Sequence, residues 1–126
     1  MKFLDMFRDW KDVEEYRAKT VIFSEGEAPD VMYVVLSGDI ELTLHGEPLG
    51  AEGMGGIIGE MAMINGAPRS ATATTLTKVK LARVNREQFR EFVDTNSEFS
   101  LQVMAVLANR LRAVDHYIST QFKQLR

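Results

Sequence analysis

The sequence has no cysteine, three prolines and two histidines, His45 and His116. Without cysteine neither a disulfide nor a thiolate zinc site can form, which suits a reducing compartment. Nowhere do about 18 apolar residues run together, so no membrane-spanning helix is expected. The start, Met1 to Asp9, is broken by Lys2, Asp5 and Arg8 too early for a signal-peptide core. An excess of positive charge is missing too: the formal charge is -3 and the isoelectric point about 5.4, which gives no general attraction to nucleic acid or anionic lipid. A bound anion therefore needs a local site. What is present is a hydrophobic content of 45% in 126 residues, enough for one core and too little chain for two ordinary domains. The expectation is a single cytoplasmic domain over residues 1–126.

Short strands punctuated by glycine are expected from about Val13 to Val84, and helix over about 86–125, since the last forty or so residues contain neither Gly nor Pro. Val31 to Leu36 is a compact apolar run, closed by Ser37-Gly38-Asp39, after which Ile40, Leu42 and Leu44 alternate with Glu41, Thr43 and His45. This predicts two strands joined by a tight turn, with His45 facing solvent on the second. His45-Gly46-Glu47-Pro48 signals another turn, and Thr72 to Thr77 followed by Val79, Leu81 and Val84 another pair of β segments. The fold class is mainly β with flanking helices, a barrel or sandwich. Asn85 can cap a helix from Arg86 to about Asp94-Thr95-Asn96, with Phe89, Phe92 and Val93 on one face. A longer helix follows from about Ser97. On it Met104, Leu107, Leu111, Val114, Ile118 and Leu125 recur at spacings of three and four, broken at Gln121. That seam either pairs with a copy of itself or packs on its own barrel.

The segment richest in chemistry runs from Gly53 to Thr72. Its glycines permit positive φ and close approach of backbone N–H groups to a ligand, and a short helical turn near Glu60 aims unpaired N–H groups outward. Arg69 adds a planar, permanently charged fork suited to two phosphate oxygens. Glu60 can accept hydrogen bonds from sugar hydroxyls. Together these describe a sugar-phosphate pocket; alternatively, Glu60 and Arg69 simply pair.

Gly59-Glu60-Met61-Ala62-Met63 followed by Pro68-Arg69-Ser70-Ala71-Thr72 resembles the phosphate-binding cassette of cyclic-nucleotide-binding domains, the family that includes the catabolite activator protein and the regulatory subunits of cyclic-AMP-dependent protein kinase. Phe23-Ser24-Glu25-Gly26-Glu27 and Tyr33 to Ile40 resemble that family's early strand and turn signatures. The resemblance implies a jelly-roll β-barrel with a long C-terminal helix. It implies that Glu60 takes the ribose 2′-hydroxyl, Arg69 the cyclic phosphate and Ser70 a phosphate oxygen, with Gly59 and Ala71 as spacers. Ala108-Asn109-Arg110-Leu111 is similar to the family's long helix, where an arginine at the place of Arg110 pairs with the ribose-binding glutamate; otherwise Arg110 is a solvated helix charge. Val114, Asp115 and His116 are the lid or base-contact candidates, and Val114-Asp115 stands where the catabolite activator protein has a hydroxyl pair on the base, a departure that leaves base selectivity open. Ser70 leans the expectation toward cyclic AMP over cyclic GMP.

Two histidines without cysteine exclude the multi-histidine metal site of the cupins, a barrel family of similar outline. No grouping of nucleophile, base and oxyanion donor emerges, so no catalysis and no cofactor are expected. No recognition helix or basic stripe is visible, so no specific DNA binding is expected. The reading is a regulatory module whose long helix closes over a cyclic nucleotide and passes the movement to an effector protein or a second copy in a homodimer. The alternative is a structural or protein-interaction domain of the same fold without ligand regulation.

Overall fold

The computed structural model describes residues 3–124, with side chains through residue 120. In chain order the elements are α1 (Phe3–Phe7), β1 (Val13–Tyr16), β2 (Val21–Phe23), β3 (Val31–Ser37), β4 (Ile40–Leu44), β5 (Glu47–Glu52), β6 (Ile57–Ile58), α2 (Glu60–Asn65), β7 (Thr72–Thr75), β8 (Val79–Asn85), α3 (Arg86–Thr95) and α4 (Ser97–Gln124). The strands form two antiparallel four-stranded sheets, ordered β1-β8-β3-β6 and β2-β7-β4-β5. This is the jelly-roll arrangement.

The unbroken apolar run of β3 follows from its position between two cores. Val31, Tyr33 and Val35 point between the sheets with Phe23, Ile40, Leu42, Ile58, Ala73, Val79 and Leu81. Met32 and Val34 point the other way, toward Phe3, Phe7, Ala62, Met63, Phe89, Phe99 and Val103, the residues by which the helices cover that sheet. A strand covered on both faces reads as continuous hydrophobicity, whereas β4, with Ile40 and Leu42 buried and Glu41 and Thr43 only half-buried, alternates because its outer face meets water.

That difference separates the two strands expected on either side of the Ser37-Gly38-Asp39 turn. Both strands exist, but they belong to opposite sheets and do not pair. Gly38 sits at the corner with φ 90°, where a side chain would run into the Lys78 carbonyl and the Val79 side chain. The next turn is a true hairpin: Leu44 pairs with Glu47, and His45 and Gly46 both take positive φ, as a two-residue connection between twisted strands requires. His45 is therefore a turn residue rather than a strand residue.

Asn85 caps α3 in a reciprocal box. Its side chain accepts from the Gln88 backbone N–H at 2.8 Å, while the Gln88 side chain accepts from the Asn85 backbone N–H at 2.9 Å. Phe89 enters the outer core and Phe92 stacks on Phe99, but Val93 is exposed. Trp10 packs against Phe7 and Phe92 and donates to the Arg83 carbonyl at 2.7 Å, which fastens the N-terminal segment to β8. The 28 residues of α4 extend about 42 Å. Phe99 and Val103 fix its first turns in the core, while Met104, Leu111 and Ile118 are exposed. Leu125, expected on the same stripe, lies outside the described residues, as does the Gln121 side chain.

Candidate functional site

The stretch from Gly53 to Thr72 folds as β6, a left-handed turn at Gly59, the six-residue α2 and a return loop into β7. Gly59 has φ 77°, which favours glycine, and a Cβ there would stand 2.5 Å from Arg69 Nη1 and so displace the guanidinium. At the other end of α2, Arg86 Nη2 donates to the Ala62 carbonyl at 3.1 Å, which ties the helix to the start of α3. Backbone bonds from Gly26 N–H to the Arg69 carbonyl and from Arg69 N–H to the Glu27 carbonyl, both 2.8 Å, fasten the return loop to the chain after β2.

Arg69 is buried and well partnered. Its Nη2 donates to the Val31 carbonyl at 2.6 Å and to Asp30 Oδ1 at 2.9 Å, its Nη1 reaches the Gly59 carbonyl at 3.5 Å, and its guanidinium lies 4.2 Å from the centre of the Phe23 ring. The Nε–H alone has no hydrogen-bond partner. The aromatic face and the carboxylate both favour the cation.

Glu60 is 1% exposed at the first position of α2, and neither of its carboxylate oxygens has a hydrogen-bond partner. Burial pushes its carboxyl above the usual carboxylate range, and the charge of Arg110 opposes that shift. Arg110 reaches down from α4 with Nη1 3.3 Å from Glu60 Oε1, while its Nη2 donates to the Ile57 carbonyl at 2.7 Å and to Glu52 Oε1 at 3.1 Å. The two charges thus attract without an aligned hydrogen bond.

Gly59, Glu60, Arg69, Ser70, Ala71 and Arg110 converge on one small cavity of about 30 Å³, together with Phe23, Leu42, Met61 and Ala62. Ser70 is exposed at its rim, its hydroxyl 3.8 Å from the Met61 sulfur. Glu60 and Arg69 do not pair with each other: each has its own counter-ion, Arg110 and Asp30. Val114 is half-buried, Asp115 and His116 are exposed, and none of the three lines this cavity. The neighbouring Tyr117 instead lies 3.4 Å from His45 Nδ1, bringing the far half of α4 to the β4–β5 turn.

A larger cavity of about 470 Å³ opens between α2, α3 and α4, lined by Met63, Ile64, Phe89, Val93, Val103, Met104 and Leu107 among others. It is apolar and lacks the buried opposite charges that a sugar phosphate would use, so size does not make it the better candidate. Phe23, Asp30 and Glu52 were not assigned to the site from sequence. Asp30 and Arg69 are thirty-nine positions apart, and Glu52 reaches the site only through a helix fifty-eight positions on; no local spacing signals either. Among the described residues no cluster of three or more His, Asp or Glu could hold a metal ion, and no helix is long and apolar enough to cross a membrane.

A jelly roll whose cassette places a buried carboxylate and a buried guanidinium around one cavity is the architecture of a cyclic-nucleotide-binding domain. The family described as Cyclic nucleotide-binding domain matches residues 13–96, and the chain belongs to that family. It is 31% identical over 104 residues to a CRP-like cAMP-activated global transcriptional regulator of Mycobacterium tuberculosis, covering 78% of this chain and 46% of the relative. The chain thus spans about half the length of that curated relative. Among solved structures, the cAMP-bound form of the EAL enzyme Bd1971 superposes with a TM-score of 0.63 at 34% identity, over 90% of this chain and 32% of that one. The Thermus thermophilus catabolite activator protein superposes with a TM-score of 0.76 at 26% identity, over 94% and 58%.

Proposed function

We propose that residues 1–126 act as one cytoplasmic, non-catalytic sensor that binds a cyclic nucleotide in the Glu60–Arg69 pocket, with cyclic AMP preferred to cyclic GMP, and relays binding through α4. The observation that carries this reading is the Glu60 carboxylate, buried beside the Arg110 charge but with no aligned hydrogen bond to either oxygen. Such a group costs stability unless something supplies donors, and a ribose 2′-hydroxyl is one. Arg69 binds the cyclic phosphate, and the exposed Ser70 contributes its backbone N–H or hydroxyl at the rim. Gly59 and Ala71 let the backbone approach. The preference for cyclic AMP draws support from the named cAMP-activated relative.

A pocket of about 30 Å³ is far below the roughly 300 Å³ or more of ordinary small-molecule sites. Ligand entry must therefore move the walls. Arg110 is the wall that belongs to α4, so opening the pocket displaces the helix, and Val114, Asp115 and His116 move with it toward the base. A ligand shifts that equilibrium only by its different affinity for the two helix positions. The effector that reads the shift is a protein partner or a second copy. The second copy is favoured by Met104, Leu111 and Ile118, which recur every seven residues on α4 and are 57%, 70% and 51% exposed. The domain itself makes no specific DNA contact in this reading.

The alternative of an interaction domain without ligand regulation draws on the same small cavity and on the contacts Arg69 already makes to Asp30 and the Val31 carbonyl. Thermal unfolding separates the two. Saturating cyclic AMP raises the midpoint of a binding domain through mass action while linear 5′-AMP does not; an unchanged midpoint with cyclic AMP and cyclic GMP alike contradicts the sensor.

A further inference from the structure

Three groups compete for one guanidinium. Arg110 divides its nitrogens between Glu60, Glu52 and the Ile57 carbonyl, with Nη2 on Glu52 and Ile57 and Nη1 near Glu60. The contact to Glu52 is at hydrogen-bond distance with hydrogen-bond geometry, whereas the contact to Glu60 is longer and unaligned. Glu52 stands at the end of β5, four residues before Gly56, and the local backbone makes room for it. A Cβ on Gly56 would fall on Glu52 Oε2. The Glu52 and Arg110 side chains are also partly buried together, 28% and 19% exposed, so their attraction is screened less than that of a surface pair.

We infer that Glu52 is a positioning residue for sugar recognition: by holding Arg110 against the β5–β6 segment, it keeps that fork from closing on Glu60 and so reserves the Glu60 oxygens for ligand hydroxyls. An arginine fork facing a single carboxylate settles into the bidentate arrangement, two parallel N–H···O bonds that occupy both oxygens. With Nη2 held by Glu52 at 3.1 Å and by the Ile57 carbonyl at 2.7 Å, this arrangement does not form, and Glu52 is the charged member of that hold. The inference rests on the proposal that Glu60 takes the ribose 2′-hydroxyl.

The test compares the affinities of cyclic AMP and its 2′-deoxy analogue, measured by calorimetry on the whole chain. Wild type discriminates between them by roughly ten- to a hundredfold, the worth of a hydrogen bond to a charged group. Glu52→Gln lowers that ratio by at least about threefold, a loss of about 0.6 kcal/mol or more of selectivity, through weaker binding of the ribo form with the deoxy form nearly unchanged. In an Arg110→Met background the same substitution changes nothing further, because the fork it restrains is gone. Gly56→Ala, which pushes the Glu52 carboxylate aside, reproduces Glu52→Gln and guards against a fold-specific artefact of one variant. Equal weakening of both ligands in Glu52→Gln, or an unchanged ratio, overturns the inference and leaves the sugar role of Glu60 standing. No discrimination in wild type overturns the sugar role itself and the inference with it.

Discussion

Arg69 and Asp30 form an ion pair across the burial boundary: Nη2 and Oδ1 are 2.9 Å apart, with the arginine side chain 2% exposed and the aspartate side chain 68% exposed. The guanidinium proposed for the ligand phosphate is thus already facing an anion, one that water reaches easily. A phosphate arriving at Arg69 competes with Asp30 for the same nitrogen. Because the carboxylate is solvated, its pair is worth no more than about 1 kcal/mol. Asp30→Asn should therefore tighten cyclic-nucleotide binding by up to about fivefold, read by titration calorimetry at constant ionic strength. Weaker binding in that variant would mean that the Asp30 charge aligns Arg69 rather than opposing the ligand.

Glu60 makes the ligand-free fold sensitive to pH in a defined direction. Burial raises its carboxyl above the range of the unfolded chain, with Arg110 only partly offsetting that rise. Between the unfolded and folded values the folded state holds the proton more tightly, so stability is highest at the acid side of that window and falls as pH rises through it. Glu60→Gln should flatten this part of the profile and raise the neutral-pH midpoint of thermal unfolding in the absence of ligand, while weakening nucleotide binding. Arg110 keeps Glu52 and the Ile57 carbonyl in that variant, so no unpaired buried charge is created. A midpoint that falls at neutral pH would show that the attraction to Arg110 outweighs burial.

The long helix carries its own prediction. Leu111 is 70% exposed midway along the seven-residue repeat that also contains Met104 and Ile118. If this seam joins two copies, Leu111→Glu places like charges opposite each other in a symmetric pair, and sedimentation velocity should show a dimer in wild type and a monomer in the variant at the same concentration. A wild-type monomer at all accessible concentrations would contradict the pairing of two copies through this seam.

Core substitutions should separate the two layers of the fold. Phe99 is fully buried where α4 meets α3 and α1, with ring contacts to Phe3, Phe89 and Phe92. Phe99→Ala should cost about 3–5 kcal/mol in denaturant unfolding. A loss under about 1 kcal/mol would mean that α4 docks far more loosely than its packing indicates.

Much of this was legible in the residues, for reasons that are local. The helix cap at Asn85, the turn signal from His45 to Pro48 and the glycine at position 59 are short-range devices read from their residue types, whereas the Gln88 half of the box and the place of His45 in the turn itself came only with the structure. The cassette from Gly53 to Thr72 is continuous in sequence, so its resemblance to a family could be seen without coordinates. The partition of strands between sheets was not legible: β3 and β4 are adjacent in sequence, and only the outer helices, whose docking is non-local, decide that one is covered on both faces and the other on one. Asp30, Glu52 and Phe23 escaped for the same reason. Each reaches the site through side-chain contacts across the barrel or from α4, and their spacings from Arg69 and Arg110 carry no periodic signal.

The central claim is that Glu60 and Arg69 form a working cyclic-nucleotide pocket, and titration calorimetry on protein refolded free of retained ligand tests it most directly. The account predicts saturable binding of cyclic AMP, weaker binding of cyclic GMP, and a ten- to more than hundredfold loss in Arg69→Ala, the worth of roughly 1.5 to 3 kcal/mol for a charge-assisted contact. Folded, ligand-free protein that takes up neither nucleotide, or an Arg69→Ala variant that binds as wild type does, would contradict it.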